Sequence, residues 1–139
     1  MILIDTSGLL SALDSNQSYH QEAAASLSSA RPPLLLSPFV LAELDYLIAS
    51  RVGHTARTRL LEEVERAAYA LEPMSARDIT SAREIIDRYA DLGISLADAS
   101  IVVLSQRHRI RDILTLDERH FRTLRSDGEH FRVLPADAR

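Results

Sequence analysis

The opening octapeptide Met1-Ile2-Leu3-Ile4-Asp5-Thr6-Ser7-Gly8 decides the fold class. Its short apolar run predicts a strand buried on both faces, the kind found inside a parallel sheet. Asp5-Thr6-Ser7 supplies the short polar side chains of a helix start, so the strand turns directly into a helix. Leu34-Leu35-Leu36, set off by Pro32-Pro33, repeats the pattern. There Ser37-Pro38 places an N-cap before a proline at the first helical position.

The alternation continues along the chain. A helical stretch opens at Ser18 and reaches about Leu27, and the helix begun at Pro38 runs to about Arg51, before Gly53. An amphipathic helix covers residues 55–69, and residues 70–72 form a short strand ended by Pro73. Ser75 and Asp78 make a capping box for a helix ending near residues 91–93. Ser95 opens a helix over residues 96–108 that is apolar nearly all round and therefore buried. Residues 110–115 read as a strand, 117–121 as a helical turn and 131–134 as a last strand. With no repeat, linker or low-complexity segment, the reading is one α/β domain over residues 1–139 around a parallel sheet. Ligands in such sheets sit beyond the carboxyl ends of the strands.

Composition narrows the function classes. The chain is 46% hydrophobic with mean hydropathy near zero, and it has no cysteine, which excludes disulfides and thiolate-based metal centres. No signal-peptide pattern and no membrane-spanning apolar run occur, so a cytoplasmic protein is expected. The net charge is −4, and all 16 basic residues are arginine. Arginines crowd the later chain at 107, 109, 111, 119, 122 and 125, with His108 and His120 among them. Such a set can grip phosphate, although solvated helix faces with ion pairs explain it as well.

Four carboxylates stand out. Asp5 and Asp117 each follow an apolar strand, where an aspartate serves equally as an N-cap. Asp98 occupies the last position of the capping box Ser95-x-x-Asp98. Glu43 falls within a stripe formed by Phe39, Val40, Leu44, Leu47 and Ile48, and a core-facing carboxylate requires a cation or a buried arginine such as Arg51 or Arg83. Asp45 reads as solvated, and Asp112 falls on the opposite edge of the sheet. Two carboxylates about 4 Å apart repel by roughly 4 kcal/mol at an effective dielectric near 20, so a cluster calls for a cation. All-oxygen ligation selects Mg²⁺ or Mn²⁺, which complete their shells with phosphate and point to phosphodiester chemistry.

Taken together, four segments resemble the VapC-type toxins of the PIN-domain family. They are Ile2 to Ser7, then Ser37-Pro38-Phe39-Val40-Leu41-Ala42-Glu43-Leu44, then Ser95-Leu96-Ala97-Asp98-Ala99-Ser100-Ile101-Val102, and finally residues 113–121 from Ile113 to Phe121. The resemblance implies a PIN-like three-layer α/β/α sandwich with a mostly parallel sheet. It also implies a Mg²⁺- or Mn²⁺-dependent endoribonuclease that cuts structured RNA, tRNA or rRNA. A cognate VapB-type antitoxin and a homodimer are implied as partners. By the same resemblance Asp5, Glu43, Asp98 and Asp117 form the metal cluster, with Thr6 and Thr115 as supporting hydroxyls. Arg107, Arg109, Arg119 and Arg122 are expected on flanking phosphates. Two alternatives stay open: a non-catalytic PIN-like module that binds RNA or a partner, and a Mg²⁺-dependent phosphatase. The phosphatase reading lacks a catalytic lysine and a second aspartate two residues after Asp5.

Overall fold

Five short strands form the centre of the molecule, described here over residues 1–138 of a computed structural model. They are β1 (Ile2–Ile4), β2 (Leu34–Leu36), β3 (Ala70–Leu71), β4 (Asp112–Leu114) and β7 (Arg132–Leu134), in the spatial order β3-β2-β1-β4-β7. All four pairings are parallel, with Leu3 opposite both Leu35 and Ile113, and Asp112 opposite Arg132. β1 is fully buried because helices flank the sheet on both faces, which is why its sequence is unbroken Ile-Leu-Ile. The α/β/α layering follows the sequence expectation.

Seven helices connect the strands: α1 (Thr6–Leu13), α2 (His20–Ser29), α3 (Pro38–Arg51), α4 (His54–Glu65), α5 (Ala76–Arg88), α6 (Leu96–His108) and α7 (Glu118–Phe121). The pairs α1–α2, α3–α4 and α5–α6 pack together, and α6 lies against β1. α6 is the core helix: Ala97 and every residue from Ala99 to Ser105 are buried.

The order of the strands places a switch point at β1. From there the chain builds β2 and β3 on one side, then β4 and β7 on the other. The crevice at the carboxyl ends of β1 and β4 is thus where such a sheet binds ligands. Asp5 follows β1, and Thr115 and Asp117 follow β4.

Several boundaries differ from the sequence reading. The helix expected over 55–69 stops at Glu65, because Ala67 takes a left-handed conformation (φ 63°) that turns the chain into β3. The helix expected to reach residues 91–93 ends at Arg88 and is followed by a separate 3₁₀ turn, Ala90–Leu92, closed by Gly93 at φ 69°. The strand placed at 110–115 is shorter. An antiparallel hairpin of β5 (Arg125–Ser126) and β6 (Glu129–His130) was not anticipated. Its turn is Asp127-Gly128, both at positive φ (49° and 82°), the dipeptide that two-residue hairpins favour.

Candidate metal centre

Asp5 stands at the N-cap position of α1, yet its side chain makes no cap hydrogen bond. Its carboxylate is held sideways instead. Thr115 Oγ1 donates to Asp5 Oδ2 at 2.6 Å and Ser7 Oγ donates to the same oxygen at 3.1 Å. Thr115 Oγ1 also accepts from the Asp117 amide (2.9 Å), and Ser7 Oγ accepts from the Leu116 amide (3.0 Å). These bonds tie the end of β1 to the loop after β4. Asp5 is only 5% exposed. Burial pushes its carboxyl up to about 6, the neighbouring Asp98 adds to the rise, and the Thr115 hydroxyl opposes it.

Gly8 sets how close these elements come. A Cβ at Gly8 would lie 2.2 Å from the Leu114 carbonyl oxygen, so only glycine lets the first turn of α1 press against β4.

Asp98 forms the capping box read from the sequence: Ser95 Oγ accepts from the Asp98 amide (3.1 Å) and the Ser95 amide donates to Asp98 Oδ2 (3.0 Å). Its helix is anchored by a buried contact of 2.7 Å between Ser100 Oγ and Ser37 Oγ, which joins α6 to the N-cap of α3. Asp117 caps α7 by accepting from the His120 amide at 3.1 Å. For Asp98 and Asp117, then, capping and clustering are served by one carboxylate each.

The residue that sequence reasoning missed is His120. Its Nδ1 lies 2.8 Å from Asp117 Oδ2 and 3.4 Å from Asp98 Oδ2. Ligand atoms of Asp98, Asp117 and His120 all fall within 4.8 Å of one another. The signal was the spacing Asp117-x-x-His120, which puts both side chains on one face of a helical turn. The arginines around His120 obscure it, because they make the residue read as part of a basic patch.

Other expected residues are placed differently. Glu43 is exposed, because the buried row of α3 is Val40, Leu44 and Ile48, spaced by four, and Glu43 flanks it. The core-facing placement of Glu43 is therefore corrected. It forms no ion pair among the described residues and is not in the Asp98–Asp117–His120 group. Asp45, expected to be solvated, makes a bidentate bond to Arg57 (2.6 and 2.9 Å). Thr6 Oγ1 is buried without a hydrogen-bond partner among the described residues; Ser7 does the supporting work expected of it.

The arginines divide too. Arg107 pairs with Asp78 (2.8 Å) and Glu72 (3.6 Å) at the far end of α6, about 13 Å along the axis from Asp98. Arg109 is the left-handed C-cap of that same far end. Arg122 is clamped by Asp137 (2.8 Å) and Glu118 (2.9 Å), which raises its pKa and lowers that of Asp137 to about 2. Arg119 is exposed on α7 with no ion pair among the described residues.

The donor set fits a divalent cation. Asp98, Asp117 and His120 bring ligand atoms together, the buried Asp5 carboxyl lies outside that group but feels the charge of Asp98, and His120 Nδ1 is shielded from solvent without a hydrogen-bond partner despite its short contacts. The PIN domain model matches residues 2–125. The chain belongs to the PIN-domain family. It is 43% identical over 135 residues, 96% of this chain and all of the relative, to ribonuclease VapC26 of Mycobacterium tuberculosis (strain ATCC 25618 / H37Rv), which places it in the VapC group of PIN-domain proteins. The PIN fold is shared with the crystal structure of M. tuberculosis VapC20, a sarcin–ricin loop cleaving toxin. There the TM-score is 0.78 at 23% identity, covering 84% of this chain and 90% of that one. It is shared also with FitAcB from Neisseria gonorrhoeae, at TM-score 0.62 and 21% identity, covering 95% and 97%. No helix among the described residues of this PIN-domain protein is long and apolar enough to cross a membrane.

Proposed function

We propose that this VapC-type endoribonuclease hydrolyses structured RNA, tRNA or a ribosomal RNA loop, with Mg²⁺ or Mn²⁺ held by Asp5, Asp98 and Asp117. The observation that carries the reading is the gathering of Asp98, Asp117 and His120 ligand atoms within 4.8 Å, with the buried Asp5 carboxyl nearby at the switch point of the sheet. A buried carboxylate with further acids close by and no arginine is costly unless a cation completes it.

A divalent cation bound there supplies Lewis-acid chemistry, acidifying water and offsetting charge on the phosphate under attack. The protein's own part is positional. Thr115 and Ser7 hold Asp5 in one orientation through Oδ2, leaving Oδ1 for the site. The capping box holds Asp98, and Asp117 is held by the turn it caps. Glu43, exposed on α3, is assigned an outer role through water, and Thr6 a lesser one. Arg119 is the first choice for a flanking phosphate, ahead of Arg109, Arg107 and Arg122. A VapB-type antitoxin, a homodimeric state and a cytoplasmic location belong to the same reading.

The test is cleavage of total RNA by purified protein. Cleavage should require Mg²⁺ or Mn²⁺, stop with EDTA, and leave 5′-phosphate and 3′-hydroxyl ends. Asp5→Asn and Asp98→Asn should abolish it with the fold intact. Wild-type cleavage rates in either variant would sink the site assignment, and tight RNA binding without turnover would favour the non-catalytic module.

A further inference from the structure

We infer that His120 is a metal ligand, making the centre a mixed nitrogen–oxygen site that favours Mn²⁺ and later divalent transition ions over Mg²⁺. The inference rests on the cation-dependent reading above and goes beyond its all-carboxylate ligand set.

Two properties of the His120 ring point this way. One is distance. Octahedral bonds of about 2.1 Å put neighbouring ligand atoms about 3.0 Å apart. His120 Nδ1 stands 2.8 Å from Asp117 Oδ2 and 3.4 Å from Asp98 Oδ2, which brackets that edge. The other is direction. Nδ1 is shielded from solvent and yet forms no hydrogen bond, although two carboxylates are within reach. A nitrogen placed for a simple ion pair would aim its N–H at one oxygen. Here Nδ1 and one oxygen of each carboxylate lie within 4.8 Å of one another, close enough to share one ion. Their local bonds leave them free to bind: Asp117 Oδ1 takes the His120 amide while Oδ2 faces the ring, and Asp98 Oδ2 keeps a lone pair beyond its bond from Ser95.

Ligand chemistry then sets the preference. Mg²⁺ is hard and binds oxygen, whereas imidazole suits first-row transition ions, so one nitrogen donor shifts selectivity toward the latter. His120 is the one imidazole placed with Asp98 and Asp117 among the described residues, and the chain has no cysteine to act as a softer ligand.

The experiment loads the full-length protein with Mn²⁺ and measures electron spin-echo modulation from directly bound nitrogen. Mn²⁺ and Mg²⁺ affinities are taken in parallel from the free Mn²⁺ signal, alone and in competition. Wild type should show one coordinated nitrogen. His120→Ala and the milder His120→Gln should lose it and weaken Mn²⁺ binding by roughly tenfold or more, with Mg²⁺ affinity changed far less. Unfolding curves of each variant separate ligand loss from misfolding, and the wild-type spectrum needs no variant at all. Bound Mn²⁺ without a nitrogen signature overturns this inference and leaves the cation-dependent ribonuclease reading standing. If no divalent ion binds the wild type, both fall.

Discussion

The helices α5 and α6 begin with the same device and end up in opposite circumstances. At α5 the Ser75 amide donates to Asp78 Oδ2 at 2.9 Å and Ser75 Oγ accepts from the Asp78 amide at 3.3 Å; at α6 the matching bonds of Ser95 and Asp98 are 3.0 and 3.1 Å. The local chemistry is the same. The surroundings are not. Asp78 meets Arg107 at 2.8 Å, and the Ser75 amide and that guanidinium together hold its carboxyl below the usual range. Asp98 instead faces Asp5 and the ring of His120. A capping box therefore reports where a helix starts and nothing about what its carboxylate does. An arginine within reach makes it structural, whereas further acids and a histidine within reach are what the proposed cation site is built from.

Exchanging each aspartate for asparagine breaks the comparison most directly. Asp98→Asn should abolish measurable RNA cleavage, a loss of at least about 10²–10³-fold, the scale of losing one preorganised charge at a reacting phosphate. Asp78→Asn should leave cleavage within about twofold while costing about 1 kcal/mol of stability. Single-turnover rates and urea unfolding of both proteins give the answer. Equal effects of the two substitutions on cleavage would mean that the caps, not the cluster, matter.

The second contrast is in pH. The folded Asp5 carboxyl, at about 6, lies above its unfolded value of 3.8, so protonation favours the folded protein. The stability this group adds is present below about pH 4 and lost as pH rises through 6. Asp5→Asn, without metal, should therefore be more stable than wild type at pH 7.5, by up to about 3 kcal/mol, and converge with it below pH 4. Asp78 runs the other way: its pKa is lowered, so its contribution is present at neutral pH and lost on acidification. Added Mn²⁺ should raise the melting temperature of wild type and leave that of Asp5→Asn nearly unchanged. A variant less stable than wild type at pH 7.5 without metal would remove the claim that Asp5 is held against its electrostatic preference.

A third change attacks position rather than charge. The Asp78 cap is made within four residues and needs no distant support. The Asp5 cluster depends on α1 pressing on β4, which Gly8 permits. Gly8→Ala sets a Cβ against backbone at Leu114, so it should cost about 1–3 kcal/mol and also lower cleavage, since the shift moves Asp5 relative to Thr115. Full activity in a folded Gly8→Ala protein would show that the approach of α1 is not needed for the site.

Much of this was legible in the sequence, and the failures have physical causes. Strand ends followed by aspartate placed Asp5 and Asp117 on one edge of the sheet, because a parallel strand buried on both faces must read as an apolar run. The two capping boxes were readable for the same reason that they are uninformative: they are local. Glu43 was misplaced because Phe39 and Leu47, both only half-buried, were weighted like Val40, Leu44 and Ile48, which define the buried row. Without knowing which row meets the sheet, a residue on its flank looks internal. His120 could be found only by asking which side chain shares a face with a capping aspartate. The β5–β6 hairpin was marked by Asp127-Gly128, but two-residue strands carry no periodicity to accompany the turn.

The smallest effect tests the structural side of the comparison. Arg107→Ala removes the guanidinium that pairs with Asp78 and Glu72 and donates to the Pro73 carbonyl at 3.0 Å. All three acceptors belong to the start of α5 and the segment before it, so the loss should loosen the docking of α5 on α6. With the Arg107 side chain 31% exposed, the cost should stay near 0.5–1 kcal/mol and shrink in high salt. Cleavage should not change, in kcat or in KM, because Arg107 sits at the opposite end of α6 from Asp98. An increase in KM of several-fold with unaltered stability would instead make Arg107 a phosphate contact. RNA would then have to reach along α6 to its far end, well beyond the edge of the sheet that holds Asp5.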